Sequence, residues 1–196
     1  MLKLEDFKAA KKRVDEVILP THLIHSDAFS EECGNDVYIK PENLQKTGAF
    51  KIRGAYNKIM KLDDEAKKKG LIASSAGNHA QGVAYAAKKL GVKATICMPA
   101  HTPLIKVDAT KAHGADVVLY GEAYDEAYEK AVELQKSEGY TFVHPFDDED
   151  VMEGQGTIAL EIMEELPDVD YILVPIGGGG LISRYCLCSK ANQSIC

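Results

Sequence analysis

A lysine just past a glycine turn, at the start of an apolar run, is placed for nucleophilic chemistry. In Lys40-Pro41-Glu42-Asn43-Leu44-Gln45-Lys46-Thr47-Gly48-Ala49-Phe50-Lys51-Ile52-Arg53-Gly54-Ala55, Lys51 stands between Phe50 and Ile52. Such neighbours can bury the lysine stem, and burial lowers its pKa and keeps part of the amine neutral. The same position also suits an ordinary surface lysine at a helix start. A second stretch, Ile72-Ala73-Ser74-Ser75-Ala76-Gly77-Asn78-His79-Ala80-Gln81-Gly82, reads as a strand that ends in small residues and turns into a helix near Asn78. A helix start offers unpaired N–H groups and the positive end of the dipole, which together cradle a carboxylate or phosphate. Ser and Asn there also fit plain helix caps, and His79 a structural histidine. The third stretch is Val174-Pro175-Ile176-Gly177-Gly178-Gly179-Gly180-Leu181. Four glycines after an apolar strand expose successive N–H groups and let phosphate oxygens reach the backbone. Neither a dinucleotide fingerprint nor a P-loop fits: Ile182 and Ser183 stand where the last glycine would be needed, and no Gly-Lys-Ser/Thr follows.

These groups need elements to hold them, and the middle of the chain has a clear rhythm. Short apolar runs open at Leu71-Ile72-Ala73, at 94–98, at 116–120 and at 140–143. Helical patterns lie between them at 78–90, 104–113 and 123–137. Alternating strand and helix predicts parallel βαβ units with helices on the sheet faces. Upstream, 4–17 reads as an amphipathic helix, 37–40 as a strand and 50–62 as a helix; downstream, 151–165 reads as a helix and 171–176 as a buried strand. No internal repeat or low-complexity linker interrupts this pattern.

The 196 residues, 45% of them apolar, suffice for one mid-sized domain or two small ones. A net charge of -7 argues against nucleic acid as the main partner. No apolar run reaches membrane-spanning length and no signal-peptide core opens the chain, so a cytoplasmic protein is expected. Five cysteines in unmatched spacings do not form a disulfide framework.

Taken together, the three motifs in this order closely resemble the threonine ammonia-lyases (threonine dehydratases) of the short catabolic type. These belong to the fold-type II, tryptophan synthase β-like enzymes of pyridoxal 5'-phosphate, which include serine racemase and cysteine synthase. The resemblance runs from about Leu4 to Ser183 and includes Gly154-Gln155-Gly156-Thr157. It implies an α/β fold of two open parallel-sheet domains. Residues 70–147 would form the small one; 1–69 and 148–196 would belong to the larger, which is incomplete here. It implies that Lys51 binds the cofactor aldehyde and later removes the substrate α-proton. Phe50 would pack beside the ring, and Asn78 would hydrogen-bond the ring hydroxyl. Gly177, Gly178, Gly179, Gly180 and Leu181 would hold the phosphate. Ser75, Ala76, Gly77 and His79 would receive the carboxylate of an amino-acid substrate. The implied reaction eliminates the β-hydroxyl and releases ammonia, giving 2-oxobutanoate from L-threonine or pyruvate from L-serine. A homo-oligomer, dimer or tetramer, is also implied; any metal site of the family would lie in the part absent here, so no metal ligand is expected among these residues.

Relatives of other activity fit less well. Serine racemases carry a serine where Ala76 stands, and a methyl group cannot move a proton. Sulfhydrylases, which carry out β-replacement, read Thr-Ser-Gly-Asn-Thr where this chain reads Ser75-Ala76-Gly77-Asn78-His79. After Ser183 the pattern departs from the family. Residues 184–196 carry Cys186, Cys188 and Cys196, and a reading frame shifted by one base over 184–190 can encode the small-residue helix expected there. A Cys-x-Cys metal site would leave a zinc tetrahedron half filled. The rival expectation is a truncated, non-catalytic fragment that binds an anion or a partner.

Overall fold

The computed structural model describes residues 3–183. The expectations placed on 184–196, the Cys-x-Cys pair and the shifted frame, lie outside the described residues. The chain begins with α1 (Leu4–Val14), β1 (Ile24–His25), α2 (Asp27–Cys33) and β2 (Tyr38–Ile39). Two short 3-10 turns, Glu42–Leu44 and Lys46–Gly48, lead into α3 (Lys51–Lys61) and α4 (Asp64–Lys69). Then come β3 (Leu71–Ser74), α5 (Asn78–Leu90), β4 (Ala94–Met98), α6 (Leu104–Ala112), β5 (Asp116–Leu119), α7 (Tyr124–Glu138), β6 (Thr141–Phe142) and α8 (Glu149–Glu165).

The four apolar runs of the middle block pair into one parallel sheet in the order β5-β4-β3-β6. Both central strands are buried along their whole length, as a sheet covered on two faces requires. Alternation decides which residue faces which layer. Leu71, Ala73, Ala94, Ile96 and Met98 join a core with Ala80, Val83 and Ala87 of α5. Ile72 and Cys97 turn the other way, towards Ala131 and Leu134 of α7. The α5 core continues without a break into Ile52, Ala55, Tyr56 and Ile59 of α3 and Val151 of α8. A second cluster joins Phe7 of α1 to Ile158, Ala159, Leu160 and Ile162 of α8. Helix α3 is therefore an interior element, packed between α5 on the sheet and α8.

Three expectations change on contact with the structure. The helix expected over 4–17 ends at Val14, with Val17 still buried in the turn that follows. The strand expected at 37–40 forms as β2, but it pairs antiparallel with β1 in a two-stranded ribbon. Among the described residues the second parallel sheet implied by the family resemblance is not formed. The buried strand expected at 171–176 is neither paired nor buried: Tyr171, Leu173 and Ile176 are 88%, 95% and 72% exposed. Only Ile172 and Val174 reach the α1–α8 cluster. The period-2 pattern is real, but no described strand lies beside it to complete a ladder. No helix among the described residues is long and apolar enough to cross a membrane.

Candidate active site

Lys51 is the first residue of α3, and close backbone contacts set its place. Gly82 of α5 lies over it: a Cβ there would stand 3.1 Å from the Lys51 carbonyl carbon. On the other side a Cβ at Gly154 of α8 would meet the Arg53 carbonyl oxygen at 2.5 Å and Gly54 Cα at 2.7 Å. Helices that touch through their backbones leave a side chain at the crossing little freedom of origin. The approach to α3 is equally constrained. Thr47, a β-branched residue, adopts φ 65°, ψ 12° in the turn four residues before Lys51, an unusual conformation for such a side chain.

Beneath this turn lies a buried ionic network centred on Arg53, which has no exposed surface. Its guanidinium meets Glu42 through Nε (2.9 Å) and Nη2 (2.8 Å), and Glu161 through Nη1 (2.6 Å) and Nη2 (2.9 Å). Thr157 and Thr21 accept two longer bonds, and Lys40 reaches Glu161 at 2.8 Å. Burial alone would lower the Arg53 pKa; bonds to Glu161 and Glu42 hold it above its ordinary value instead. The network gathers both ends of the lysine-bearing stretch, Lys40 and Glu42 at one end and Arg53 at the other, onto α8.

The three lysines on α3 differ in their surroundings. Lys58 is bonded by Asp148 and Asp150, Lys61 by Asp150 and Glu153. Although burial acts to lower both, these carboxylates raise their pKa values. Among the described residues no carboxylate pairs with Lys51, and burial pushes its pKa below the ordinary 10.5. Its Nζ donates to the Pro145 carbonyl at 2.7 Å and lies 5.5 Å from the Phe50 ring centroid. An amine held by a neutral acceptor loses its proton more easily than one held by a carboxylate.

Lys51 opens into a cavity of about 300 Å³ lined by Phe50, Pro145, Phe146, Gln155, Gly177–Gly180 and Leu181. The structure thus brings Lys51 and the glycine loop to one space across more than a hundred residues of chain. Within the loop, a Cβ on Gly178 would stand 2.5 Å from the Phe146 ring, and one on Gly180 2.8 Å from the Phe146 carbonyl. Gly177 and Gly179 face open space, and Gly179 has φ 81°. A larger hollow of about 450 Å³, lined by Asp63, Glu65, Lys69, Gln135 and Tyr140 among others, lies at α4 and β6. It has no glycine loop, and its lysine, Lys69, is exposed, so volume alone does not mark the site.

Ser75, Ala76, Gly77, Asn78 and His79 do not line the 300 Å³ cavity; they form the turn from β3 into α5. Gly77 occupies the N-cap position, and no side chain caps α5, so the first N–H groups of the helix stay available. Asn78 is exposed, and its amide bonds no described residue. The His79 ring, by contrast, turns inward. Nε2 lies 2.9 Å from the Val143 carbonyl, which can only accept, so Nε2 carries the proton. Nδ1 is buried with no partner among the described residues. Burial, then the charges of Lys51 and His144, push the His79 pKa down to about 4 despite the bond to Val143. A neutral, enclosed ring cannot meet a carboxylate; only the His79 backbone N–H could. Among the described residues no group of three His, Cys, Asp or Glu stands ready to hold a metal ion.

The sequence reading singled out no role for Gly82, Arg53, Pro145, Phe146, Gly154 or Gln155. One signal was available for part of this set: His144-Pro145-Phe146 follows a parallel strand, and ligands collect at the C-terminal ends of such strands.

The family described as "Pyridoxal-phosphate dependent enzyme" matches residues 14–191. The L-threonine ammonia-lyase of Thermotoga maritima is 54% identical over 191 residues, 97% of this chain and 48% of that protein. The chain spans about half the length of the curated relatives it matches first. Among solved structures, the processed form of threonine deaminase isoform 2 from Solanum lycopersicum superposes with a TM-score of 0.92 at 45% identity. That match covers 95% of this chain and 51% of the other. Serine racemase from Dictyostelium discoideum gives 0.91 at 39%, covering 96% and 62%. The residues present suit such a cofactor: an amine of lowered pKa for an aldehyde, and a side-chain-free loop for a phosphate, on two walls of one cavity.

Proposed function

Since the chain belongs to the family of pyridoxal-phosphate dependent enzymes, we propose that it carries the lysine-bearing part of a threonine ammonia-lyase. The enzyme would turn L-threonine into 2-oxobutanoate and ammonia, and L-serine into pyruvate and ammonia. The observation that carries this reading is the state of Lys51: half-buried, bonded to a carbonyl, free of carboxylates, and across a cavity from Gly177–Gly180.

In this reading the Lys51 amine attaches the cofactor and, once displaced by the substrate, accepts the proton from the substrate α-carbon. When bound, the cofactor supplies an electron sink for that carbon. Gly177–Gly180 and the Leu181 N–H would hold its phosphate, and Phe50 would pack beside its ring. Asn78 would bond the ring hydroxyl. The substrate carboxylate lies against Ser75, Ala76, Gly77 and the His79 N–H, where the uncapped start of α5 favours negative charge. Racemisation is the weaker reading, because Ala76 offers no proton to the opposite face of the substrate. Residues 70–147, which contain the parallel sheet, form the small domain; 1–69 and 148–196 belong to the larger one. Cys33 and Cys97 are free thiols, in keeping with a cytoplasmic enzyme, and the whole protein works as a homo-oligomer.

Lys51→Ala tests the assignment. Formation of 2-oxobutanoate from L-threonine should drop by at least about 10²–10⁴-fold, as for loss of a proton-transfer group. Borohydride reduction with pyridoxal phosphate should no longer label the chain at residue 51, while the far-UV circular dichroism stays unchanged. Turnover at the parent rate would remove Lys51 from the mechanism.

A further inference from the structure

Helix α3 starts without a cap of its own. Phe50 occupies the N-cap position in a helical conformation and supplies no side-chain acceptor, although first-turn N–H groups need one. An acceptor comes from another helix. Gln155 of α8, 2% exposed, places Oε1 3.2 Å from the Gly54 nitrogen and takes its hydrogen bond. The amide lies against Gly54 so closely that a Cβ there would meet Nε2 at 2.5 Å and Cδ at 2.8 Å. Gln155 also lines the cavity into which Lys51 opens.

We infer that Gln155 is a positioning residue for Lys51, acting through the first turn of α3; the inference rests on the reading of Lys51 given above. The element that presents it is fixed. Asp148 caps α8 through the N–H groups of Asp150 and Val151, Gly154 sits against the Arg53 carbonyl, and Lys58 and Lys61 tie α3 to the same turn of α8. As core filler, the amide is a poor choice. Its Nε2 is buried without a partner among the described residues, and a buried donor left unpaired is costly. A methionine of the same length would fill the space without that cost. What methionine cannot do is accept the Gly54 N–H, and that bond sets the direction in which the Lys51 side chain leaves the helix.

The test compares Gln155→Met and Gln155→Glu in the full protein, using two ligands. Pyridoxal 5'-phosphate reports the amine, through the rate of its covalent linkage to Lys51, followed by absorbance and by borohydride-fixed mass. Pyridoxine 5'-phosphate has the same ring and phosphate but no aldehyde, so it reports the pocket alone. Gln155→Met should slow linkage by roughly 10- to 100-fold, the scale of a misplaced reacting group. Its affinity for pyridoxine phosphate should stay within about twofold and its thermal midpoint should change little, since one unpaired donor, Nε2, is removed while another, the Gly54 N–H, is left. Gln155→Glu, which keeps an acceptor oxygen at the same reach, should restore most of the rate. Linkage at the parent rate in Gln155→Met overturns the inference. So does a parallel loss of linkage, pyridoxine phosphate affinity and thermal midpoint, which marks a packing residue only. If the parent protein itself forms no linkage at Lys51, the reading of that lysine fails first and this inference with it.

Discussion

Lys51 leaves a helix that is enclosed on both sides, whereas Gly177–Gly180 leave a stretch of chain enclosed on one side only. Around Lys51, α5 and α8 approach α3 to backbone contact, and a guanidinium with no exposed surface gathers Glu42 and Glu161 beneath it. Before the glycine loop, Tyr171, Leu173 and Ile176 face solvent, and only Ile172 and Val174 reach the core. The loop itself rests on one aromatic ring, Phe146. On the proposed reading, the orientation of the Lys51 amine is built into the interior, because a small misplacement of a reacting group is expensive in rate. The glycine wall, on the same reading, would need only backbone N–H groups in reach of a phosphate, and a dianion recruits those strongly through charge-assisted bonds. Damage to the first wall should therefore appear as lost stability, damage to the second as lost affinity.

The largest break in this contrast is Arg53→Met. Removing the guanidinium leaves Glu42 with only the Thr21 hydroxyl and Glu161 with only Lys40, and breaking a buried pair in this way costs roughly 3–5 kcal/mol. Urea unfolding should show the unfolding free energy fall by that amount; a change below about 1 kcal/mol would mean that α3 does not depend on the network.

Acid sharpens the same contrast through His79, whose ring ties α5 to the chain leaving β6. In the unfolded chain the ring takes up a proton as pH falls through the ordinary 6.5, whereas in the folded protein it resists protonation until about 4. The unfolded state thus binds more protons across that window. Stability is complete above pH 6.5 and declines towards pH 4, by about 3 kcal/mol in all. Glu161 and Asp150, held below their ordinary 4.5 and 3.8 after opposing burial and bonded cations are both counted, lose their contributions at lower pH. His79→Gln, which can still donate to Val143, should flatten the upper part of the decline. An unchanged profile would show that His79 does not titrate there.

The smallest effect on stability belongs to Gly178→Ala. The new methyl displaces the Phe146 ring, which is partly exposed and can shift, so unfolding should change by about 1 kcal/mol or less. Affinity for pyridoxine 5'-phosphate should nevertheless fall several-fold, because the loop moves with the ring. If titration shows parent affinity, the loop is only a turn; if stability falls as far as in Arg53→Met, the two walls are not built differently.

Much of this architecture was legible in the residues. The helices at 78–90, 104–113 and 123–137 form within one residue of the expected bounds, because their apolar spacing and terminal glycines act locally. The four parallel strands were equally plain, being apolar runs set between those helices. Lys51 and Gly177–Gly180 stood out by type, and the structure sets them around one cavity. What stayed hidden depends on partners far away in sequence. Nothing near Arg53 announces that Glu161 will meet it, and nothing near Gly54 announces the amide of Gln155. The inward turn of His79 is fixed by Val143, 64 residues on. The stretch 171–176 has the alternation of a strand, but alternation does not supply a neighbour to pair with.

The chain leaving β6 holds two side chains by main-chain oxygens alone: His79 by the carbonyl of Val143 and Lys51 by that of Pro145, two residues further on. An acceptor that belongs to the backbone cannot be removed by exchanging a side chain. Alanine scanning across 143–145 would pass over both contacts, and drift at these positions would leave little trace in either. Length is a different matter. Deleting one residue between Val143 and Pro145 would bring a neighbouring carbonyl, pointing the opposite way in extended chain, to where the Lys51 amine expects its acceptor. At this edge of the cavity what has to be inherited is a count of residues, more than their identity.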